Sequence, residues 1–207
     1  MDDIVRAAMA KWPNVPNVFG WLKLDARGNW KVKSVRHSPD NPVFERMNNR
    51  AVIDFINRNY EADAQGRWFF QNGPQRVFVT LAHAPWVARL HEDGRVTVHT
   101  DSATPIRPLA ALLDDAMQPY FVTPAGLASL DDRDFALFIE SVRAPDGTPP
   151  EEALLERFSV GYAGTSALTL ALQASPLALH TVAVADLARD YAFNANPRPA
   201  AGAEDCS

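Results

Sequence analysis

Cysteine is almost absent from this chain: Cys206 is the only one among 207 residues. A single cysteine excludes a disulfide within the chain, which fits a reducing compartment. Long apolar runs are also missing, because an aspartate, an arginine or a proline interrupts every apolar stretch before it reaches the length of a membrane-spanning helix. The first residues, Met1-Asp2-Asp3, lack the basic and then apolar pattern of a secretory signal. We therefore expect a cytoplasmic protein that does not associate with membranes.

Motifs that identify common enzyme chemistry are absent too. The sequence has no glycine-rich phosphate loop ending in Gly-Lys-Ser/Thr, no Gly-x-Gly-x-x-Gly, no His-Glu-x-x-His and no Gly-x-Ser-x-Gly. His91 and His99 share a polar strand face in the predicted pairing, but strand geometry separates them by roughly 13 Å, too far for one metal ion. We therefore expect no metal site and no cofactor, and we assign no catalytic residue.

Positive charge is scarce outside the first third of the chain. The net charge is −5, yet residues 1–60 contain ten Lys or Arg against six Asp or Glu, and all four lysines lie there. The overall acidity argues against a general nucleic-acid binder. Two interpretations of the asymmetry remain. Either the two parts simply have different solvated surfaces, or the basic part meets an acidic surface of the second half or of a partner.

The clearest pattern that is present is a loop that occurs three times. Its copies are Asp25-Ala26-Arg27-Gly28-Asn29-Trp30, Asp63-Ala64-Gln65-Gly66-Arg67-Trp68 and His91-Glu92-Asp93-Gly94-Arg95-Val96. Glycine in the fourth place suits the left-handed position of a three-residue hairpin loop with a bulge. The pattern predicts hairpins in which Leu24 pairs with Trp30. In the third copy it pairs Leu90 with Val96.

Apolar periodicity predicts the remaining elements. Helices are expected over residues 4–12, 49–60, 131–142 and 148–158, and strands over residues 19–24, 30–33, 68–71, 76–81, 86–91, 96–100, 118–123, 168–172 and 177–184. The alanine- and proline-rich segment after Val184 is expected to be disordered. The predicted fold class is α+β, with antiparallel β-meanders built from repeated hairpins and packed with a few amphipathic helices.

The expected organisation has three parts and a tail, in one or two compact domains. Residues 1–62 form an N-terminal helix, hairpin and helix, and residues 63–143 form a central meander with a helix. Residues 144–199 form a C-terminal helix and hairpin, and residues 200–207 are a disordered tail.

A first candidate binding patch lies on the polar face of the opening hairpin, where Trp21 is surrounded by Lys23, Lys31 and Lys33. Lys23 faces Lys31 in the predicted register, and like charges across a strand pair are destabilising. A bound anion, either a phosphate group or an acidic protein surface, would relieve that repulsion. The alternative is a solvated face with Asp25 as a neighbour.

A second candidate patch lies on the central meander. If Phe70 and Val79 face the core, then Phe69, Arg76 and Phe78 face away from it. Two phenylalanines and an arginine on an outer face need a cover. Helix 49–60 is one candidate for it; a ligand cleft or a homodimer contact is the other.

The central stretch also resembles a known family. Its residues Asp63-Ala64-Gln65-Gly66-Arg67-Trp68-Phe69-Phe70-Gln71-Asn72-Gly73-Pro74-Gln75-Arg76-Val77, then Ala84-Pro85-Trp86, are similar to those of an uncharacterised proteobacterial family of unknown function. The resemblance continues through Gly20-Trp21-Leu22, Pro119-Tyr120-Phe121 and Phe193-Asn194-Ala195-Asn196-Pro197-Arg198-Pro199. The strand-rich part more distantly resembles a second bacterial family of unknown function, with repeated β-motifs and helices. That resemblance implies a signalling or ligand-sensing role and assigns no catalytic residues.

Two functional hypotheses follow from the sequence. The first is a non-enzymatic ligand-binding or regulatory protein, for a small-molecule or anionic ligand, which forms a homodimer or acts alone. The alternative is a hydrolase-like enzyme whose site is assembled from scattered residues. The enzyme hypothesis requires His83, His99 or Asp101 to meet another carboxylate in a deep pocket. A purely structural subunit of a larger complex is a third option.

Overall fold

The computed structural model describes residues 1–34, 42–151 and 168–199. The chain divides into two compact units. The first unit comprises Met1–His83 and the segment that begins at Ala192, and the second comprises Ala84–Tyr191. The predicted helix over residues 148–158 falls mostly outside the described residues, as do the predicted tail and Cys206.

The first unit is built on a six-stranded sheet. Its strands are β1 (Val18–Leu24), β2 (Trp30–Lys33), β3 (Phe44–Arg46), β4 (Tyr60–Ala62), β5 (Trp68–Asn72) and β6 (Gln75–Leu81), in the order β3-β2-β1-β6-β5-β4. All neighbours are antiparallel except β1 and β6, which are parallel. Two helices, α1 (Asp3–Lys11) and α2 (Arg50–Arg58), belong to this unit.

The second unit is built on a nine-stranded sheet. Its strands are β7 (Trp86–Leu90), β8 (Val96–Val98), β9 (Asp101–Ile106), β10 (Ala110–Asp114), β11 (Pro119–Thr123), β12 (Gly126–Leu130), β13 (Val142–Arg143), β14 (Thr169–Leu170) and β15 (Leu177–Val182). Their order is β13-β14-β15-β10-β11-β12-β7-β8-β9, with parallel pairing only of β10 with β15 and of β12 with β7. A 3-10 turn (Asp132–Asp134), α3 (Phe135–Glu140) and α4 (Val184–Asp190) complete the unit. The predicted α+β class with mostly antiparallel sheets is confirmed.

The hairpin loops have the predicted geometry and register. Leu24 pairs with Trp30, and Lys23 pairs with Lys31. Gly28, Gly66 and Gly94 all take positive φ angles of 69–75°. In each loop the first residue's N–H donates to the fifth residue's carbonyl, and the glycine N–H donates back to the first residue's carbonyl. The three sequence copies are therefore one structural device.

The same loop occurs at two further places that the sequence pattern did not reveal. At residues 144–148 the loop contains Gly147, with φ of 82°. At residues 114–118 the left-handed position holds Met117, with φ of 62°, and Met117 N–H donates to the Asp114 carbonyl. A search for glycine misses this copy, although its hydrogen bonds match the others.

Three other expectations about local structure were wrong. Strands β3, β4, β9, β10, β12 and β13 were not predicted. The helix expected over residues 131–142 is shorter, because Asp131 caps a 3-10 turn through Arg133 N–H and Val142 belongs to β13. The segment after Val184, expected to be disordered, forms α4, which suits the high helix propensity of alanine and leucine.

The core of the first unit lies between one face of its sheet and α2. Ile56 of α2 is buried, and Phe55 contacts the edge of Phe70 with ring centroids 5.4 Å apart. Trp30 Nε1 donates to Asn57 Oδ1 over 2.8 Å, which satisfies the indole. Each such aromatic contact stabilises the fold by about 0.5–1.5 kcal/mol beyond its buried area.

The segment after Ala192 returns to the first unit. Asn194 N–H donates to the Gly66 carbonyl and Leu81 N–H donates to the Ala195 carbonyl, both over 2.8 Å. Gly66 is required there, because a Cβ on it would collide with the Ala192 carbonyl oxygen. The second unit is therefore an insertion between two parts of the first.

We expect Met117→Gly to stabilise the protein. A non-glycine residue in the left-handed region destabilises the folded state by about 1–2 kcal/mol. Glycine removes that strain, but it also raises the conformational entropy of the unfolded chain, which offsets part of the gain. The expected gain in unfolding free energy is roughly 0.5–1 kcal/mol, measured by urea denaturation. Ala116→Gly, in the same loop without a positive φ angle, is the control and should destabilise. A loss for Met117→Gly would contradict the interpretation.

We expect Gly66→Ala to destabilise the protein more than Gly20→Ala. The two glycines have similar φ angles, 69° and 72°, but a Cβ on Gly20 meets nothing within 4 Å. The difference between the two losses of unfolding free energy therefore measures the collision with the Ala192 carbonyl, which we expect to cost roughly 2–3 kcal/mol. Equal losses in urea denaturation would show that backbone strain alone matters at Gly66.

Candidate functional site

The first predicted patch exists as a continuous face, which we call the basic face: Trp21, Lys23, Lys31, Lys33, Phe44 and Arg46. Lys31 pairs with Lys23 on one side and with Arg46 of β3 on the other, so three cations stand in one row across three strands. Residues directly opposite in a ladder share a sheet face. The sequence missed Phe44 and Arg46, because nothing in it pairs β3 with β2.

Each lysine of the basic face has a local contact. Lys23 Nζ lies 3.9 Å from the Phe44 ring centroid, and Lys33 Nζ lies 5.1 Å from the Trp21 ring centroid. Lys31 Nζ forms an ion pair with Asp25 over 3.2 Å. Among the described residues, Asp25 is therefore the one carboxylate that pairs with the four cations of the basic face. These described residues together carry a net charge of about +3.

The second predicted patch is partly buried. Phe69 and Phe78 are each 1% exposed. Phe19 stacks on Phe78 with centroids 4.5 Å apart, and Phe69 meets Phe78 edge-on at 5.6 Å. The three rings form a separate core cluster on the face opposite Phe70.

Helix 49–60, one of the two candidate covers for this patch, does not cover it. Helix α2 packs against Phe70, on the other face of the sheet, because successive residues of β5 point in opposite directions. Two guanidinium groups lie over the rings instead. Arg67 Cζ lies 4.7 Å from the Phe78 centroid, and Arg76 Cζ lies 4.6 Å from the Phe69 centroid. Such contacts contribute about 0.5–2 kcal/mol each, depending on desolvation.

A cavity of about 340 Å³ lies beside Arg76 in the first unit, and we call it the α1 cavity. It is lined by Met9, Trp12, Pro13, Val15, Asn17, Gln71, Pro74 and Arg76. The end of α1 and the connector after it form the apolar wall. Gln71 and Arg76, paired across β5 and β6, form the polar wall.

Gln71, one of the residues that line this cavity, has an unsatisfied acceptor. Its side chain is fully buried, and its Nε2 donates to the Gly73 carbonyl over 2.9 Å. Among the described residues, Gln71 Oε1 has no hydrogen-bond donor. A buried acceptor without a donor costs about 1–3 kcal/mol. No sequence signal distinguishes Gln71 from other strand glutamines, so sequence reasoning missed it.

A second cavity, of about 830 Å³, lies in the second unit near β7 and α3. Arg89 donates to both carboxylate oxygens of Asp134, over 2.6 and 3.0 Å, and Leu90 N–H donates to the same carboxylate. Asp131 is wholly buried and accepts from the Arg133 side chain over 2.9 Å. The arginines at this cavity are thus already paired with carboxylates.

The Asp131 carboxylate is held in its charged form. Burial by itself raises its pKa, but hydrogen bonds from the Arg133 side chain and backbone, with the charges of Arg133 and Arg89, hold the pKa below its usual value. The guanidinium pKa of Arg89 is raised chiefly by its hydrogen bond with Asp134. This arrangement is a structural ion-pair network, because each charge is neutralised by a neighbour.

His91, His99 and Asp101 each make hydrogen bonds within the second unit. His99 Nδ1 accepts from Val87 N–H over 3.1 Å, and His91 Nε2 hydrogen-bonds Thr97 Oγ1 over 3.0 Å. Asp101 accepts from the backbone of its own loop. In the part of the chain that the structure describes, no group of three or more His, Cys, Asp or Glu residues could hold a metal ion.

The family model DUF2944, described as "Protein of unknown function (DUF2946)", matches residues 1–198. The chain belongs to this family. Among solved structures, a DUF1285 family protein from Silicibacter pomeroyi DSS-3 is 18% identical, with a TM-score of 0.42, over 88% of this chain and 97% of that one. A DUF1285 family protein from Shewanella baltica OS155 is 13% identical, with a TM-score of 0.36, over 57% and 90%.

The resemblance to an uncharacterised family, inferred from the sequence, is confirmed by the match to this family of unknown function. No curated protein matches the chain. Across the described residues, the helices are too short or too polar to cross a bilayer.

We expect the second unit of this DUF2944 family member to lose stability in acid partly through Asp131. A carboxylate with a lowered folded-state pKa stabilises above its unfolded pKa, near 4, and that stability is lost as the pH falls through the folded value. Asp131→Asn should lower the unfolding free energy at pH 7 by about 2–3 kcal/mol. This loss is smaller than that expected on breaking a wholly buried ion pair, because Arg89 and Arg133 reach solvent.

The measurement is urea denaturation between pH 2 and 7. The difference between wild type and Asp131→Asn should shrink as the pH falls. Asp3→Asn, at an aspartate that is fully exposed, is the control. A difference that does not change with pH would mean that the substituted amide fails sterically rather than by loss of charge.

Proposed function

We propose that this protein is a cytoplasmic, non-enzymatic binding protein with a regulatory role, and that its first unit binds a small anionic organic molecule in the α1 cavity. The proposal rests on two residues that line the same cavity, Gln71 and Arg76. Gln71 Oε1 is buried without a hydrogen-bond donor among the described residues, and Arg76 is positively charged. Gln71 Oε1 can accept a hydrogen bond from a ligand, and the Arg76 guanidinium can bind an anionic group.

Arg76 is suited to hold a carboxylate or phosphate. Its guanidinium carbon lies 4.6 Å from the Phe69 ring centroid, a cation–π contact that restrains the side chain. None of the carboxylates in the described segments forms an ion pair with it. A planar guanidinium fixed in this way can donate two parallel hydrogen bonds to one anionic group.

Gln71 adds a second requirement to the ligand. Because Nε2 donates to the Gly73 carbonyl, Oε1 is the amide atom that lacks a partner among the described residues, and we propose that the ligand supplies it. The ligand must therefore carry an N–H or O–H donor near its anionic group. A ligand without that donor would leave the acceptor desolvated, at a cost of about 1–3 kcal/mol.

The rest of the cavity supports a small and mostly apolar ligand. Met9, Val15 and Trp12 contribute apolar surface opposite the polar pair. The volume of about 340 Å³ lies at the small end of the range for ligand pockets, roughly 300–1,000 Å³. These features favour an acid with a compact hydrophobic body.

The lining residues also favour binding over catalysis. Among the described residues around this cavity there is no serine, cysteine, histidine or carboxylate, so the cavity offers no nucleophile and no general base. A protein that binds without chemistry acts by carrying or reporting its ligand, which supports the regulatory role. The hydrolase alternative gains no support from this geometry.

The test uses N-acetylphenylalanine, which has a carboxylate, an amide N–H and an apolar ring, with its methyl ester as the uncharged probe. We expect the acid, but not the ester, to raise the melting temperature of the full chain. Arg76→Gln should weaken binding roughly ten- to a hundredfold, because a hydrogen bond to a charged group contributes about 1.5–3 kcal/mol.

Arg50→Gln is the matched control, since Arg50 is exposed on the same unit with 84% of its side chain accessible. Equal weakening by Arg50→Gln would show a non-specific charge effect and contradict the proposal. A native mass spectrum of the purified protein measures both the mass of any acid that stays bound and the oligomeric state. No retained mass and no shift with a panel of N-acetylated amino acids and aryl phosphates would reject an anion site.

A further inference from the structure

We propose that the basic face is a docking surface for an acidic segment of a partner protein. This inference is separate from the α1 cavity and does not depend on it, since the two sites share no residue. It starts from the row of Lys23, Lys31 and Arg46, which the pairing of three neighbouring strands brings side by side.

The row is costly in the isolated protein. Neighbouring strands are about 4.8 Å apart, so the three positive side chains start from adjacent points on the sheet. Like charges directly opposite each other destabilise a strand pair. Asp25 offsets only Lys31, over 3.2 Å. Within the described residues, Lys23 and Arg46 have no ion-pair partner, so an external anion would remove the repulsion.

The charges form a grid rather than a single point. Lys31 and Lys33 are two residues apart on β2, a distance of about 7 Å along the strand. The row of Lys23, Lys31 and Arg46 runs across the strands through Lys31, with neighbours about 4.8 Å apart. Carboxylates at alternate positions of an extended chain have the same separation of about 7 Å. A segment with several Asp or Glu residues can therefore meet several cations at once.

The aromatic residues of the face favour carboxylates over nucleic-acid bases. Lys23 covers the Phe44 ring and Lys33 covers the Trp21 ring. A surface that stacks bases needs open ring faces, whereas here the rings position ammonium groups. The net charge of −5 also opposes long-range attraction of a nucleic acid or an anionic membrane. A short acidic segment acts within the Debye length of about 8–10 Å, where the local charge prevails.

The test measures binding of a fluorescein-labelled peptide of ten glutamates to the full chain by fluorescence anisotropy at low salt. We expect saturable binding that weakens as salt rises. The variant Lys23→Gln/Lys33→Gln/Arg46→Gln should bind about tenfold more weakly, as loss of a few ion pairs of 0.2–1 kcal/mol predicts.

The matched control is Arg6→Gln/Lys11→Gln/Arg50→Gln, which removes the same charge from exposed positions of the same unit. It should change the affinity by less than twofold. Phe44→Leu leaves the charge unchanged but removes the ring under Lys23, and we expect it to weaken binding a few-fold. Far-ultraviolet circular dichroism checks that each variant is folded.

Three outcomes would overturn the proposal. Equal weakening by the control would mean that net charge, not the basic face, attracts the peptide. Tighter binding of a ten-nucleotide thymidine strand or of phosphatidylserine vesicles, with the same dependence on the variants, would assign the face to nucleic acid or membrane. Absence of peptide binding at low salt would show that the row has no acidic partner of this kind.

Discussion

The architecture depends on one repeated interaction, a carboxylate that accepts backbone N–H groups inside a hairpin loop. Asp25, Asp63 and Asp114 each begin a loop and accept from the N–H groups two and four residues later, over 2.8–3.0 Å. In the other two copies the aspartate stands in the third place of the loop, at Asp93 and Asp146, and accepts from the residue two positions on. Four of the five loops join consecutive strands, and the fifth follows the end of β13.

Register follows from these loops, and every surface of the first unit follows from register. A slip of one residue would move each side chain to the opposite face of its strand. The same pairing that buries Leu24 against Trp30 sets Lys23 beside Lys31 on the outer face. The bulge at Gly20, between the two parts of the β1–β6 ladder, then carries Phe19 to the Phe78 ring. The register of β1 and β2 therefore determines both the buried face and the charged face of this hairpin.

Local chemistry predicted much of this fold. The three glycine loops established the hairpins, because glycine is the residue that takes a positive φ angle without strain. The copy at Asp114 was invisible because Met117 occupies that position despite the cost. Strand β9 contains Pro105, which argues against a strand by sequence, yet β9 is the last strand of its sheet, where a missing N–H leaves no ladder bond broken. Strands β10 and β12 are short apolar runs, which periodicity cannot separate from buried helix.

The candidate sites were predictable only where they lie within one hairpin. Trp21 and its three lysines could be placed together because one loop fixes their pairing. Arg46 could not, since no strand was predicted over β3 and nothing in the sequence pairs that segment with β2. The α1 cavity combines a helix end, a connector and the β5–β6 hairpin. Phe69 and Phe78 were correctly assigned to a shared face, but their burial also depends on Phe19 of β1, which no local pattern connects with them.

The return of the chain to the first unit has a consequence for its biosynthesis. A ribosome makes residues 1–83 early, but the Leu81 N–H and the Gly66 carbonyl receive their partners, Ala195 and Asn194, only after the whole second unit has been made. All nine strands of the second sheet emerge within one uninterrupted stretch of chain. The unit whose synthesis starts later can therefore be finished first, while the unit that starts the chain waits for its last segment. Domains otherwise tend to mature in their order along the chain.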